Sequence, residues 1–178
     1  MSPAPLFAVP VLETERLRLR AWREDDLSPF VEFCARDVTA RFVGGVCNRS
    51  EAWRRIALQV GHWVMRGYGT WALEDKSDGR WVGYSGLWYP EGWPEPELMW
   101  ALAARCHGRG YATEAAARAR DYAYRVLGWK TLISCIAPEN VRSQKVAQRL
   151  GAGFERRIDL RSTEVGVWRH PGPGALQA

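Results

Sequence analysis

The 178-residue sequence contains no apolar run approaching the ~20 residues that a membrane-spanning helix needs. Gly-Lys-Ser/Thr is absent, which sets aside a P-loop kinase or nucleotidase. Cys34, Cys47, Cys106 and Cys135 form no C-x-x-C pair, so neither a zinc site nor a disulfide framework is indicated, and buried free thiols are the plain reading. His62, His107 and His170 show no metal spacing, and no metal is expected. Internal repeats and low-complexity segments are missing. The opening MSPAPLFAVPVLE lacks the basic start and continuous apolar core of a secretion signal, and its three prolines suggest an extended lead. A cytoplasmic protein is therefore expected, with residues 1–12 as a lead, 13–170 as one domain and 171–178 as a loose tail.

What is present suits a folded domain. Hydrophobic residues at 47% with 25% charged argue against disorder. A chain of this length buries roughly 70% of its unfolded surface. The formal charge of +5 is unevenly placed: residues 105–161 hold twelve Lys/Arg against five Asp/Glu, a net of +7 that leaves −2 elsewhere. That bias suits a polyanion, nucleotide or nucleic acid. A solvated helix face accounts for part of it, since Arg118 and Arg125 fall on the outside of their helix.

Periodicity orders the chain. Thr14–Arg20 alternates as a half-buried strand. Asp25 or Asp26 caps a helix to about Arg36 with Leu27, Phe30, Val31 and Cys34 inward. Ser50 caps a second helix to about Met65 carrying Trp53, Ile56, Ala57, Val60 and Val64, and the aromatics Trp53, Trp63 and Trp71 read as core. Strands near Thr70–Glu74 and Arg80–Trp88 are joined at Asp78-Gly79. A loop rich in Pro, Trp and Glu, Tyr89–Pro96, leads into a strand at Glu97–Leu102. A helix from Ala112 follows, with Ala115, Ala116, Ala119, Ala123, Val126 and Leu127 on one stripe. Lys130–Ile136 reads as a strand, Asn140 caps a short helix to Leu150, and strands near Ala152–Leu160 and Thr163–Arg169 close an α/β chain.

The stretch ELMWALAARCHGRGYATEAAA, Glu97–Ala117, is the most informative. A strand running through Gly108-Arg109-Gly110 into a helix start leaves backbone N–H groups unpaired and pointing one way. With the positive end of the helix dipole behind them they form a seat for phosphate. Gly108 and Gly110 are needed there because a Cβ would obstruct the approach.

HGRGYATEA, followed by Asn140-Val141-Arg142-Ser143 and Leu150-Gly151, with the ETERLRLR opening and the element order, resembles the GNAT superfamily of N-acetyltransferases and its RimJ/RimL-type branch from about Glu13 to Arg169. The resemblance implies a mixed central sheet of about seven strands, splayed between its fourth and fifth strands, with four flanking helices. It implies acetyl-CoA as co-substrate and a primary amine, on a peptide N-terminus or a small molecule, as acceptor. Two registers of the family turn fit: Arg105-x-x-Gly108-x-Gly110 matches literally, and His107-x-x-Gly110-x-Ala112 matches its placement before the helix. The second is preferred and puts His107 where Gln or Arg is usual.

By the same resemblance, backbone from His107 through Gly108, Arg109, Gly110 and Tyr111 to Ala112 holds the coenzyme A pyrophosphate. A bulge near Leu102 opens the splay, backbone of Leu102 and Ala104 pairs with the pantetheine arm, and the Leu102 N–H polarises the thioester carbonyl. Asn140 touches the arm, or serves only as a helix cap. Ala147 stands where the family often has a tyrosine acid, and the resemblance to the RimJ/RimL-type branch implies Ser143 as the acid, or at least a hydrogen-bond donor to the sulfur, a capping or surface hydroxyl being the alternative. Glu97 is the candidate base, with Glu91 and Glu95 competing and a strand-end salt bridge as the plainer account. The loop 89–97 would border an acceptor pocket suited to a cationic amine. Two other classes stay open: an acyl-CoA-binding module without turnover, and a nucleic-acid-binding protein, against which the aromatics lie mostly outside the basic segment. A homodimer is compatible with the sequence, and no membrane partner is expected.

Overall fold

The computed structural model describes residues 8–176, and the calls on residues 1–7 and 177–178 lie outside them. The strands are β1 (Leu12–Glu13), β2 (Leu17–Arg20), β3 (Thr70–Asp75), β4 (Trp81–Trp88), β5 (Glu97–Leu102), β6 (Ile133–Ile136), β7 (Gly153–Leu160) and β8 (Thr163–Arg169). The helices are α1 (Leu27–Cys34), α2 (Asp37–Ala40), α3 (Arg49–Arg66), α4 (Tyr111–Arg125) and α5 (Val141–Arg149). The strands form one sheet in the order β1-β2-β3-β4-β5-β6-β8-β7. Neighbours are antiparallel except β5 and β6. The mixed α/β architecture is as the sequence reading expects. Its eight strands and five helices exceed seven and four because β1 is a two-residue pairing and α2 a single turn among the described residues, both below the reach of periodicity.

β2 shows how side chains set register. Leu17 and Leu19 are fully buried, while Arg18 leans out to Glu13 and Glu74. Arg20 points inward and is buried only because it is fully paired: Asp26 accepts from it at 2.9 and 2.8 Å, and Glu74 at 2.7 Å. This knot ties β2, β3 and the turn before α1 together.

α3 corrects the expected face and cap. Asn48, not Ser50, is the N-cap, its side chain accepting from Glu51 N–H at 3.0 Å. Trp53 is 56% exposed and Val64 59%, so neither is core. The buried positions are Ala52, Gln59, His62 and Trp63. Ile56 and Val60 pack against the core as expected, and the face is also fixed by hydrogen bonds, to which hydrophobic periodicity is blind: Thr70 Oγ donates to Gln59 at 2.6 Å, and Trp63 Nε1 donates to the Thr70 carbonyl at 2.8 Å.

α4 behaves as its composition predicts. Ala115, Ala116, Ala119 and Ala123 are fully buried, small enough for the helix to lie close on β4 and β5, while Val126 turns out to be 64% exposed. β6 begins at Ile133 rather than Lys130. Leu12, expected in the lead, already pairs with Leu19. The expected loose tail is partly tied down, since Tyr124 Oη donates to the Pro171 carbonyl at 2.9 Å and residues Pro173–Leu176 form a 3-10 turn.

Candidate active site

The β4–β5 register runs unbroken from Trp88↔Glu97 to Gly83↔Leu102, so the bulge expected near Leu102 is not in this pairing. The splay arises on the other side. β5 and β6 share one parallel pair, Glu97↔Ile133, and then part. Ala103 N–H bonds the Val82 carbonyl at 2.9 Å, which makes Leu102↔Gly83 a pair that exchanges no bonds. By the alternation of an antiparallel ladder, the N–H groups of Leu102 and Trp100 therefore face the gap. Ala104 has left the strand for a 3-10 turn, where its carbonyl accepts His107 N–H at 3.2 Å. Trp100 and Leu102, rather than Leu102 and Ala104, are the residues in position to meet an extended chain.

Beyond that turn the backbone twists through Gly108 (φ +75°) and Gly110 (φ +82°) into α4. Gly110 is the N-cap and brings no side chain to cap the helix. Nothing lies within 4 Å of where a Cβ on Gly108 would stand. The Thr113 hydroxyl is buried and has no hydrogen-bond partner among the described residues. An uncapped helix start beside an unpartnered buried hydroxyl calls for an external acceptor, which a phosphate supplies.

Side chains from distant elements hold this turn still. Tyr111 Oη donates to Asp75 at 2.7 Å, and that bond first, with two from Ser77, holds the Asp75 carboxyl down at about 2. Arg16 stacks 4.6 Å from the Tyr111 ring centre and Arg109 4.8 Å from it. Arg16 also donates to the Arg109 carbonyl at 2.8 Å and pairs with Glu114 at 2.6 Å. His107 lines the cleft and is held through both ring nitrogens. Arg142 can only donate, so the 3.1 Å contact makes His107 Nδ1 an acceptor, and Nε2–H donates to the Leu102 carbonyl at 2.9 Å. Arg105, central to the alternative register, is spent on the Trp81 carbonyl.

A cleft of about 1170 Å³ joins these parts. Its wall includes Leu102, His107, Gly108, Gly110, Tyr111, Ala112, Asn140 and Ser143 from the predicted set, together with Trp100, while Glu97, Ala104 and Arg109 are not part of it. Asn140 caps α5, accepting from Ser143 N–H at 3.3 Å, which leaves the Ser143 hydroxyl unspent by the cap. Arg142, Lys145 and Arg149 also line the cleft, as do Val38, Thr39, Phe42 and Val43 from the α2 segment. Sequence reasoning missed Thr113, Trp100 and the α2 segment; the basic bias of residues 105–161 was the available signal for α5.

Glu97 and the loop before it lie apart from this wall. Glu97 is 7% exposed, accepting from Cys135 N–H at 2.8 Å and from Trp93 Nε1 at 2.6 Å. Burial pushes its carboxyl up to about 7, against the pull of those two donors. Glu95 is consumed by Arg169 at 2.6 Å and Arg156 at 3.1 Å, and Glu91 is exposed. The loop residues 89–96 contribute nothing to the cleft wall, which corrects the expectation that they border it.

The acetyltransferase (GNAT) domain model matches residues 16–153. The chain belongs to the GNAT acetyltransferase family. A crystal structure of an acetyltransferase from Agrobacterium tumefaciens is similar at 31% identity, covering 96% of this chain and 99% of that one, with a TM-score of 0.82. A protein of Bacillus subtilis called YkkB, described as uncharacterized, is 26% identical over 88% of this chain and 93% of its own length. RimL, a ribosomal alpha-N-protein acetyltransferase solved in complex with coenzyme A, shares the fold at 14% identity and a TM-score of 0.74, covering 91% of this chain and 98% of that one. Structures described as ribosomal-protein acetyltransferases from Vibrio cholerae and Vibrio fischeri share the fold as well, at 21% and 15% identity.

Proposed function

We propose that the chain transfers an acetyl group from acetyl-CoA directly to a primary amine within a ternary complex. The observation that carries this is the uncapped, glycine-built start of α4 opening onto the β5–β6 gap, with the unpartnered Thr113 hydroxyl beside it. Backbone N–H groups from Gly108 to Ala112 hold the pyrophosphate, the His107 N–H being already bonded to the Ala104 carbonyl, and Arg142, Lys145 and Arg149 add positive charge to the cleft wall. The pantetheine arm lies in the gap against Trp100 and Leu102. The Leu102 N–H donates to the thioester carbonyl as negative charge grows on its oxygen. Fixing both reactants there converts a bimolecular attack into a positioned one.

Glu97 takes the ammonium proton through water. A carboxyl near 7 is well matched to that task at neutral pH. Ser143, its hydroxyl not used by the Asn140 cap, donates to the departing thiolate. The α2 segment borders the acceptor side, and the amine is a peptide N-terminus or a small molecule. Ala147 in place of a tyrosine acid favours one second reading, an acyl-CoA-binding module without turnover. Thiol release measured with acetyl-CoA across peptides, polyamines and aminoglycosides separates the two: release with one acceptor class supports transfer, and tight binding with no release supports the module. A nucleic-acid partner has less support, because Arg105, Arg120, Arg125 and Arg156 are occupied within the chain.

A further inference from the structure

The β5–β6 gap opens where two side chains take the backbone groups that would close it. A parallel ladder begun at Glu97↔Ile133 continues with Cys135 N–H donating to the Leu98 carbonyl, then Trp100 N–H to the Cys135 carbonyl. Instead, Cys135 N–H donates to Glu97 Oε1 at 2.8 Å, and the Leu98 carbonyl accepts from Ser134 Oγ at 2.6 Å. The first missing rung is thus plugged from both ends.

The Ser134 plug is itself oriented. His170 Nε2 lies 2.9 Å from Ser134 Oγ, and His170 Nδ1 lies 3.5 Å from Arg120 Nη1. Arginine has no acceptor, so Nδ1 accepts, Nε2–H donates to Ser134 Oγ, and the serine proton is left for Leu98. Arg120 is anchored in turn on the Leu150 carbonyl at 2.6 Å. Ser134 and His170 are each 2% exposed. A plain ladder would satisfy the same two backbone groups without burying a carboxylate or an arginine, and both burials are costly. Strand separation is what the two plugs add.

We infer that Ser134 and Glu97 are positioning residues that keep β5 and β6 apart, leaving the Trp100 and Leu102 N–H groups free for the thioester arm. The link to that arm rests on the acyl-transfer reading above; the separation itself does not. The test is amide hydrogen exchange by NMR in the absence of ligand, with coenzyme A titrated separately. In Ser134→Ala/Glu97→Ala the ladder advances one rung and Trp100 N–H gains a partner, so its exchange slows about tenfold or more. Destabilisation alone moves exchange the other way. Ser134→Ala by itself, the safer variant for folding, slows Trp100 by about threefold. Ser134→Thr and Glu97→Gln keep the plugging atoms and restore the wild-type rate. Coenzyme A affinity falls about tenfold in the double variant and stays within about threefold in the conservative ones. Trp100 exchange that is unchanged or faster in both Ser134→Ala and the double variant overturns the inference. Wild-type protein that fails to bind coenzyme A overturns the acyl-transfer reading, and the exchange rates alone then decide the role of the plugs.

Discussion

Gly108 and Gly79 make a matched pair for testing the phosphate seat. Gly108 has φ +75° and Gly79 φ +71°, and nothing lies within 4 Å of a Cβ built on either. Gly79 sits in the β3–β4 hairpin, outside the cleft wall, where its N–H bonds the Asp75 carbonyl. Replacing either by Ala costs only the left-handed backbone penalty, about 1–2 kcal/mol. For a chain of this size that lowers Tm by about 2–8 °C. The two variants should therefore lose similar stability in thermal or urea unfolding. In Gly108→Ala the new methyl stands in the open space of the cradle, where a phosphate oxygen must approach the amides. Calorimetric titration with coenzyme A should give a Kd raised at least about tenfold, about 1.4 kcal/mol, while Gly79→Ala stays within about twofold of wild type. Equal affinities in the two variants would refute the claim that this turn receives the diphosphate.

Glu97 yields a pH prediction. Its carboxyl is raised to about 7 by burial, so the folded protein holds a proton that the unfolded chain has released. Its contribution is complete below the ordinary glutamate range and is lost as pH rises through about 7, so stability should fall across that window and Glu97→Gln should flatten the fall. If Glu97 is also the base, kcat/KM should rise to a plateau with an apparent pKa near 7 in wild type, and Glu97→Gln should lose that limb while keeping coenzyme A affinity. Asp75 has the opposite sign: its carboxyl is held at about 2, first by Tyr111, so its stabilisation is present above the ordinary aspartate range and lost as pH falls toward 2. Tyr111→Phe should move the acid-unfolding midpoint upward, and an unmoved midpoint would remove Tyr111 as its cause. Ser143→Ala should slow turnover by more than it weakens acetyl-CoA binding, and an unchanged turnover number would take Ser143 out of the mechanism.

The elements that locate the cleft were legible because each carries a local signal. β5 came out with the bounds expected, Glu97–Leu102, since an apolar run ends at a turn. α4 was marked by its alanine stripe, and α5 by the Asn140 cap. α3 was found with its inner face only partly right: Ile56 and Val60 pack against the core as expected, while Trp53, Ala57 and Val64 face outward. The rest of its buried face is set by Gln59, His62 and the indole N–H of Trp63, polar groups whose partners lie up to 27 residues away.

Long-range pairing was also what hid the cleft's details. The acidic loop before β5 looked like an amine trap because its carboxylates stand together in the chain. Glu95 is taken by Arg156 and Arg169 from β7 and β8, and Glu97 by the Cys135 N–H from β6, partners that could not be assigned in advance. The splay was expected from a bulge, which is a local irregularity. It arises instead from Ser134 and Glu97, two side chains on different strands whose meeting depends on the finished sheet. Thr113 was overlooked because an unpartnered hydroxyl is a property of its surroundings, not of its residue type.

A crystal structure of the protein with coenzyme A bound tests the central claim most directly. The account predicts diphosphate oxygens at hydrogen-bond distance, about 2.7–3.2 Å, from main-chain nitrogens between His107 and Ala112, with the pantetheine arm between β5 and β6 beside Trp100 and Leu102. A diphosphate seated on any other part of the molecule, or an arm lying outside that gap, would contradict it.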